Sequence, residues 1–578
     1  ALNANTTGAN NTALGVNALS TNTTGNLSVA IGKDALKVST GGLATAVGAY
    51  AADAHTTGAY TTAIGYSALG AVTTGQANTA VGHQAIGSIT TGSNCTGVGY
   101  NALVNNTAND NTGLGKEALT SNTTGGLNTA VGNETLESNT TGNNNTAVGA
   151  NALDASTTAS DNVAIGYDAL GANTTGDLNT AVGRSAMSNC TNSDRNVAVG
   201  YATLQNIAAD QGDTYHTCIG YGAGNAITTA TQQTHVGANA GLSVTTGNSN
   251  TFMGYNAGSS TTTGAHNTAV GRAIFQSNTT GSSNVAVGAN ALQSNTTQGE
   301  NVAIGYNALS TAGANTNTAV GCEAGEQTTT GYANVYIGMR AGEESTSAYQ
   351  ATAVGAYALD DCTTGIKNTA VGWDAGGDVT TGGHNVYVGT NAGDDHTTGS
   401  NSIYIGNASH AGSGGEGQAI CIGTSVTSKG NYYTTLGTDT NGRVYNYYPS
   451  NATWTRDSDE RLKKDIFTNT DCGLDFVNDL RTVTYKWKAP SEVPNTFTNY
   501  DADQTEAVHK DKMYGFIAQE VKAALDKHNI TDFNGWTEDL NGVQGISYEM
   551  FVMPLIKAVQ ELSAKNDALE ARIKTLEG

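Results

Sequence analysis

Proline is missing from the first 448 residues of this chain; its four prolines are Pro449, Pro490, Pro494 and Pro554. A proline would remove a ladder hydrogen bond, so this long gap fits continuous sheet. Charge is scarce over the same stretch. Residues 1–457 hold 11 Lys/Arg and 27 Asp/Glu, about one residue in twelve, whereas residues 458–578 hold 14 and 21, more than one in four. Two different kinds of object therefore share the chain. The net charge of −23 argues against nucleic acid or an anionic membrane surface as the main partner. No run of about 18 apolar residues exists, which excludes a spanning helix and leads us to expect no membrane insertion. Ala1 opens no charged and apolar leader, and a start at Ala rather than Met leads us to expect a fragment without its own export signal. The seven cysteines (95, 190, 218, 322, 362, 421, 472) are odd in number and lack metal-type spacing; they read as small buried residues.

What is abundant is glycine, 74 residues, 68 of them before Ser458. The block NTAVG or a near relative places its glycine at 15, 32, 48, 65 and 82 and recurs, mostly in steps of 17, as far as Gly437. Self-similarity at a fixed period marks a repeat architecture. A full unit reads N-T-A-V-G-x-x-A-L-x-x-x-T-T-G-x-x. Side chains alternate along a strand, so in NVAIG (Asn301 to Gly305) Val302 and Ile304 share one face and Ala303 takes the other. The expectation is that the β-branched pair fills the inside of a coil, that alanine lies outside where something can pack closely, that the A-L pair forms a second short strand, and that T-T-G turns the chain. Each unit has too few large apolar residues to bury a core alone. Stacked coils solve half of that problem, and several chains side by side, expected to be three, solve the rest. About 26 coils at roughly 4.8 Å give a rod on the order of 125 Å long.

Blocks such as SVAIG (Ser28 to Gly32) and NVAIG (Asn162 to Gly166) resemble the head repeats of trimeric autotransporter adhesins, which form a trimeric β-roll. The period is longer than that family's, and we expect no membrane-anchoring barrel at the end of the chain. A bacterial trimeric surface adhesin is therefore the alternative reading.

Residues 1–440 are thus expected to be a β-solenoid shaft, 441–457 an aromatic cap or tip and linker, and 458–578 a separate small α+β domain. Tyr445, Tyr447, Tyr448 and Trp454 read either as a plug for the open solenoid end or as receptor-binding aromatics suited to glycans. From Ser458 onward, SDERLKKDI (Ser458 to Ile466), YGFIAQEV (Tyr514 to Val521) and ISYEMFVMPLIKAVQEL (Ile546 to Leu562) resemble the intramolecular chaperone domain of phage tail fibres and tailspikes, peptidase type S74. That resemblance implies a trimeric domain that registers three chains and is then released by cleavage between Asp457 and Ser458, with Ser458 as nucleophile and Lys463 as base.

Taken alone, Ser458 or Asp459 is an ordinary helix N-cap and ERLKKD a solvated charged face. The chemistry still suits the residue types. A serine hydroxyl needs a base to take its proton, and a lysine, with an ordinary pKa of about 10.4, serves only when its surroundings favour the neutral form. Asp459, Arg461 and Lys464 are the candidates for supporting groups. Five residues apart, Ser458 and Lys463 can meet only across a turn or between chains.

The last segment, 552–577, places Leu555, Val559, Leu562, Asn566, Leu569, Ile573 and Leu576 in steps of four and three, a coiled-coil seam with a polar residue at one a position. One amphipathic helix packed on its own domain would give the same pattern. The preferred reading is a homotrimeric tail fibre of the virion, made in the host cytoplasm, joined to upstream tail or baseplate proteins and binding a host-cell surface glycan or protein. Its only expected enzyme activity is a single-turnover self-cleavage. No cofactor and no metal site are expected; His216, His235 and His384 lie singly in separate repeats. A polysaccharide depolymerase is disfavoured, because Glu343/Glu344, Asp360/Asp361 and Asp394/Asp395 sit at loop positions of an uninterrupted repeat with no domain to form a cleft. An ice-binding threonine ladder has a simpler explanation in turn chemistry.

Overall fold

The computed structural model describes the chain except residues 209–211, 440–441, 448, 450–454, 457–459, 461–462, 496–499, 508–509 and 540–541, with the backbone alone at 455–456. The chain is mainly β and divides into two compact units, Ala1–Asp457 and Ser458–Gly578.

The first unit is a β-solenoid. Its 25 short strands, β1 (Thr12–Leu14) to β25 (Ile420–Ile422), pair in parallel, each with the next coil's strand. The register follows the repeat: Val285, Ala286 and Val287 face Val302, Ala303 and Ile304. Asparagine ahead of the strand fixes that register. Asn128 is fully buried; its Nδ2 donates to the Gly142 carbonyl (2.8 Å) and its Oδ1 accepts from the Asn145 backbone N–H (2.9 Å). Asn145 repeats the pair with Ala159 O and Asn162 N. A second buried row links Asn139 to Asn122 (2.7 Å). Threonine hydroxyls at the T-T-G turn donate to the next coil's carbonyl, as Thr140 does to Thr157 (2.9 Å).

The facing of the strand is the reverse of the sequence expectation. Ala303 is fully buried, while Val302 is half-buried and Ile304 is 38% exposed. The same alternation holds from coil to coil. The physical reason is the width of the coil: the A-L segment sends its leucine inward (Leu292 and Leu309 are fully buried), and the space left opposite admits only a methyl. Nor is A-L a second strand. Asn307 and Leu309 adopt φ of +55° and +49°, so the chain turns there through left-handed residues whose N–H groups still bond the neighbouring coil. Glycine after the strand is obligatory, since Gly305 has φ of +141° and a Cβ there would lie 2.1 Å from the Gly321 carbonyl oxygen.

Where the inward strand position is large, the leucine is lost. Tyr336, Phe252, His235 and Tyr387 occupy that position, and Gly342, Gly258, Gly241 and Gly393 stand where the coil otherwise has leucine. A Cβ on those glycines would come within 2.2–2.5 Å of the ring concerned. The ring fills the space of the lost leucine and reaches the preceding coil as well, where Gly325 and Gly376 make room for Tyr336 and Tyr387. Six of the cysteines are buried as expected, whereas Cys322, just past the turning glycine Gly321, is exposed because that position points outward.

The solenoid ends when β26 (Tyr433–Thr438), parallel to β25, reverses into an antiparallel hairpin with β27 (Gly442–Tyr447), which pairs in turn with β28 (Thr455–Arg456). The second unit holds α1 (Leu474–Asp479), the hairpins β29 (Val483–Tyr485) with β30 (Met513–Gly515) and β31 (Trp536–Glu538) with β32 (Gln544–Ile546), α2 (Ala518–Lys527) and the terminal α3 (Val552–Glu577). Its small core gathers Cys472, Phe476, Val521, Ala524, Leu525 and Ile530. Among the described residues no helix is long and apolar enough to cross a membrane.

Two predictions follow from this core. Gly342→Leu alone should destabilise the shaft by about 1–3 kcal/mol or more through overpacking against Tyr336, and Tyr336→Ala added to it should restore most of the loss, measured by denaturant unfolding. His216 and His235 are buried, and burial holds their pKa values down at about 4 and about 3. Their neutral forms stabilise the fold fully above the ordinary pKa near 6.5, and this contribution is lost as pH falls from about 6.5 to 3. Thermal unfolding at pH 7.5 and pH 4.5 should show a lower midpoint in acid, and His235→Phe, which stacks on Phe252 as His235 does (5.1 Å), should reduce the difference.

Candidate functional site

Two surfaces and one segment carry the candidate chemistry. On the solenoid, the inward turn of alanine leaves the strand's first and third positions outside. Exposed Ile165, Ile304, Ile337, Ile405 and Ile422 continue one row, with Val at other coils. Beside them, the residue after the turning glycine forms an outward aromatic column. Tyr66, His83 and Tyr100 stack at 5.3 Å, Tyr201 stacks on Tyr221 at 5.3 Å, and the Arg184 guanidinium lies between Tyr167 and Tyr201. The repeat-by-repeat reading missed this column; its signal is the aromatic at the first x after glycine, visible once the coils are aligned.

At the end of the shaft, Tyr433 gathers two of the expected aromatics: Tyr447 at 4.9 Å and Tyr445 at 5.9 Å, with the Lys429 ammonium 4.8 Å from the Tyr445 ring. Tyr448 and Trp454 lie outside the described residues. So do Asp457, Ser458, Asp459 and Arg461, while Lys463 and Lys464 are exposed. The Lys463 backbone N–H donates to Glu460 O at 3.0 Å.

In the second unit, Asp479 accepts from Lys527 (2.8 Å) and pairs with His528 Nε2 (2.6 Å), and those hydrogen bonds hold its pKa below the ordinary carboxylate value. Arg481, two residues past α1, pairs with Glu520 of α2. Phe516, Tyr548, Phe551 and Phe533 pack as a chain of rings 5.1–5.7 Å apart. An apolar cavity of about 210 Å³ opens between Val477, Leu480, Phe516, Phe551 and Leu555. Helix α3 buries only Pro554 and Ala558, and Glu561 accepts from the Leu474 N–H at 2.7 Å. The expected seam faces solvent in the single chain: Leu555, Val559, Leu562, Leu569, Ile573 and Leu576 are all exposed, and Asn566 donates to Glu570 on its own helix (3.2 Å).

The acidic pairs do stack. Burial, then Asp361 and Asp374, raises the Asp360 carboxyl to about 7. Asp394, Asp395 and His410 bring ligand-type atoms within 4.8 Å of one another, as do Glu323, Glu326 and Glu343. The latter are already served by the Arg340 guanidinium, which pairs with Glu343 and lies 3.7 Å from Glu323.

Residues 458–530 match the family model described as the chaperone of endosialidase, peptidase S74. Neither a curated protein nor a solved structure matches the chain. A β-solenoid shaft followed by a chaperone domain of this kind is the make-up of a fibre- or tailspike-type protein.

Proposed function

We propose that the protein is a homotrimeric tail fibre that attaches to a host-cell surface, assembled by a C-terminal chaperone domain that then cuts itself free. The observation that carries this reading is the pair of unpartnered apolar surfaces on one chain: the outward Val/Ile rows of the shaft and the exposed seam of α3. Rows of this length rarely stay in water on a single chain. Copies of the same chain fit them, because identical coils have identical pitch and a heptad seam is self-complementary.

A shaft of near-identical coils can pair one coil out of step at little cost, and three chains multiply the wrong registers. A distinct domain at the C-terminus selects one register before the shaft closes. The reaction we assign to it uses the peptide bond just before the nucleophile. Ser458 Oγ, its proton drawn by Lys463, attacks the Asp457 carbonyl carbon; the C–N bond breaks, and the proton passes to the α-amine of Ser458. The resulting ester is hydrolysed by water, leaving a carboxylate at Asp457 and a restored serine hydroxyl. Removal of the guide leaves a shaft whose durability is kinetic.

Intact mass of freshly purified protein should show a piece ending at Asp457 and a piece starting at Ser458, and Ser458→Ala should stay whole; two whole proteins would leave the domain as a retained registering unit. Leu562→Asp with Leu569→Asp should shift the assembly from trimer to monomer in native mass spectrometry and abolish cleavage. Full-rate cleavage by a monomer would overturn the link between assembly and cutting. Adsorption of the full-length trimer to intact bacterial cells, with and without periodate treatment of their surface glycans, tests attachment.

A further inference from the structure

One place on the shaft departs from the repeat in a way that makes a cavity. The step from Gly305 to Gly321 is 16 residues where its neighbours have 17, and the turn reads T-A-G-A-N in place of N-T-T-G. At most other coils the turn threonine donates its backbone N–H to the next coil, as Thr279 does to Thr296 (2.7 Å) and Thr329 to Thr346 (3.0 Å). Here Thr296 and Thr297 instead donate to the side-chain Oε1 of Gln298, both at 3.0 Å. The ladder is broken at this corner and a glutamine caps the break.

The shortened turn, Gly313 and Ala314, leaves a notch of about 570 Å³ bounded by Thr297, Gln298, Asn315 and Tyr332. A second hollow of about 320 Å³, lined by Thr280, Ser282 and Glu300, continues it and shares Thr297 and Asn315. Tyr332 stacks on Tyr349 with centroids 5.0 Å apart and planes within 2°. The other lining residues of the notch come from the preceding coils, so the opposite ring face of Tyr332, a residue 46% exposed, forms its wall. One aromatic face, side-chain hydroxyls, two amides and a carboxylate around a hollow of ligand size are the groups that a pyranose ring uses: its C–H face on the tyrosine, its hydroxyls on the polar rim.

We infer that this notch is a subsite for one sugar unit of a neutral surface polysaccharide. The inference rests on the attachment reading above and names its ligand class. Neutrality follows from charge: Glu300 lines the hollow and the chain carries −23, which disfavours an acidic glycan. Three chains would present three notches at one level, so weak single-site binding would sum by avidity.

The fold supplies its own plug for the test. Asn315, Tyr332 and Tyr349 occupy one column, 17 residues apart. Asn315→Tyr should extend the Tyr332–Tyr349 stack and close the notch without unfolding the coil. The full-length protein is applied to an array of neutral oligosaccharides of hexoses and N-acetylhexosamines, beside Asn315→Tyr, Tyr332→Ala and Tyr332→Phe. The expected result is binding by the parent and by Tyr332→Phe, and a loss of about tenfold or more in Tyr332→Ala and Asn315→Tyr, with thermal midpoints close to the parent. Undiminished glycan binding by Asn315→Tyr and Tyr332→Ala overturns the notch while attachment stands. A parent that adsorbs to cells but binds none of the glycans overturns the notch as well, and a parent that does neither overturns the attachment reading with it.

Discussion

The structure depends on the hydrogen bonds that buried asparagine amides make between coils. A coil of 17 residues holds too little apolar mass to fold by itself, so each coil must be held by the ones above and below. Asn128 and Asn145 each place a donor on a turn carbonyl of the same coil and an acceptor on the following asparagine's N–H. Every amide in the row is therefore needed by its neighbour. An orphaned donor or acceptor at such a depth costs about 1–3 kcal/mol, and a one-residue slip would orphan several at once.

That constraint narrows the coil, and the narrow coil decides what reaches the surface. With the amides and one leucine filling the inside, the strand has room for a methyl; the larger Val and Ile side chains turn outward. An apolar exterior follows from a crowded interior. The exchange of Ala and Leu for Tyr336 and Gly342, with Gly325 in the preceding coil, obeys the same limit on space, which is why aromatic rings appear inside the shaft without widening it. The outward rows then need a partner, and the regularity that makes them continuous also makes their register ambiguous.

Individuality in such a shaft resides where the period falters. Most coils are interchangeable, so a specific surface has to come from a coil that differs: a shortened turn, an aromatic run beside the strand, a hairpin that ends the ladder. The break at Gln298 illustrates how this is stabilised, with a side chain replacing the backbone acceptors of two exposed N–H groups.

The sequence by itself determined the period, the parallel stacking of coils, the change of material near Ser458 and the helical seam from Leu555 to Leu576, because each of these is written as spacing along the chain. It also carried SDERLKKDI, YGFIAQEV and ISYEMFVMPLIKAVQEL, three motifs whose order marked the C-terminal segment before any fold was described. Only the tertiary structure decided which face of NVAIG looks inward, that A-L is a left-handed turn and not a strand, that Cys322 is outside, and that a missing residue near Gly313 opens a notch beside Tyr332. Alternation along a strand tells which residues share a face. Which face is buried depends on how much space the opposite wall leaves, and that wall is built by residues of the same coil and its neighbours.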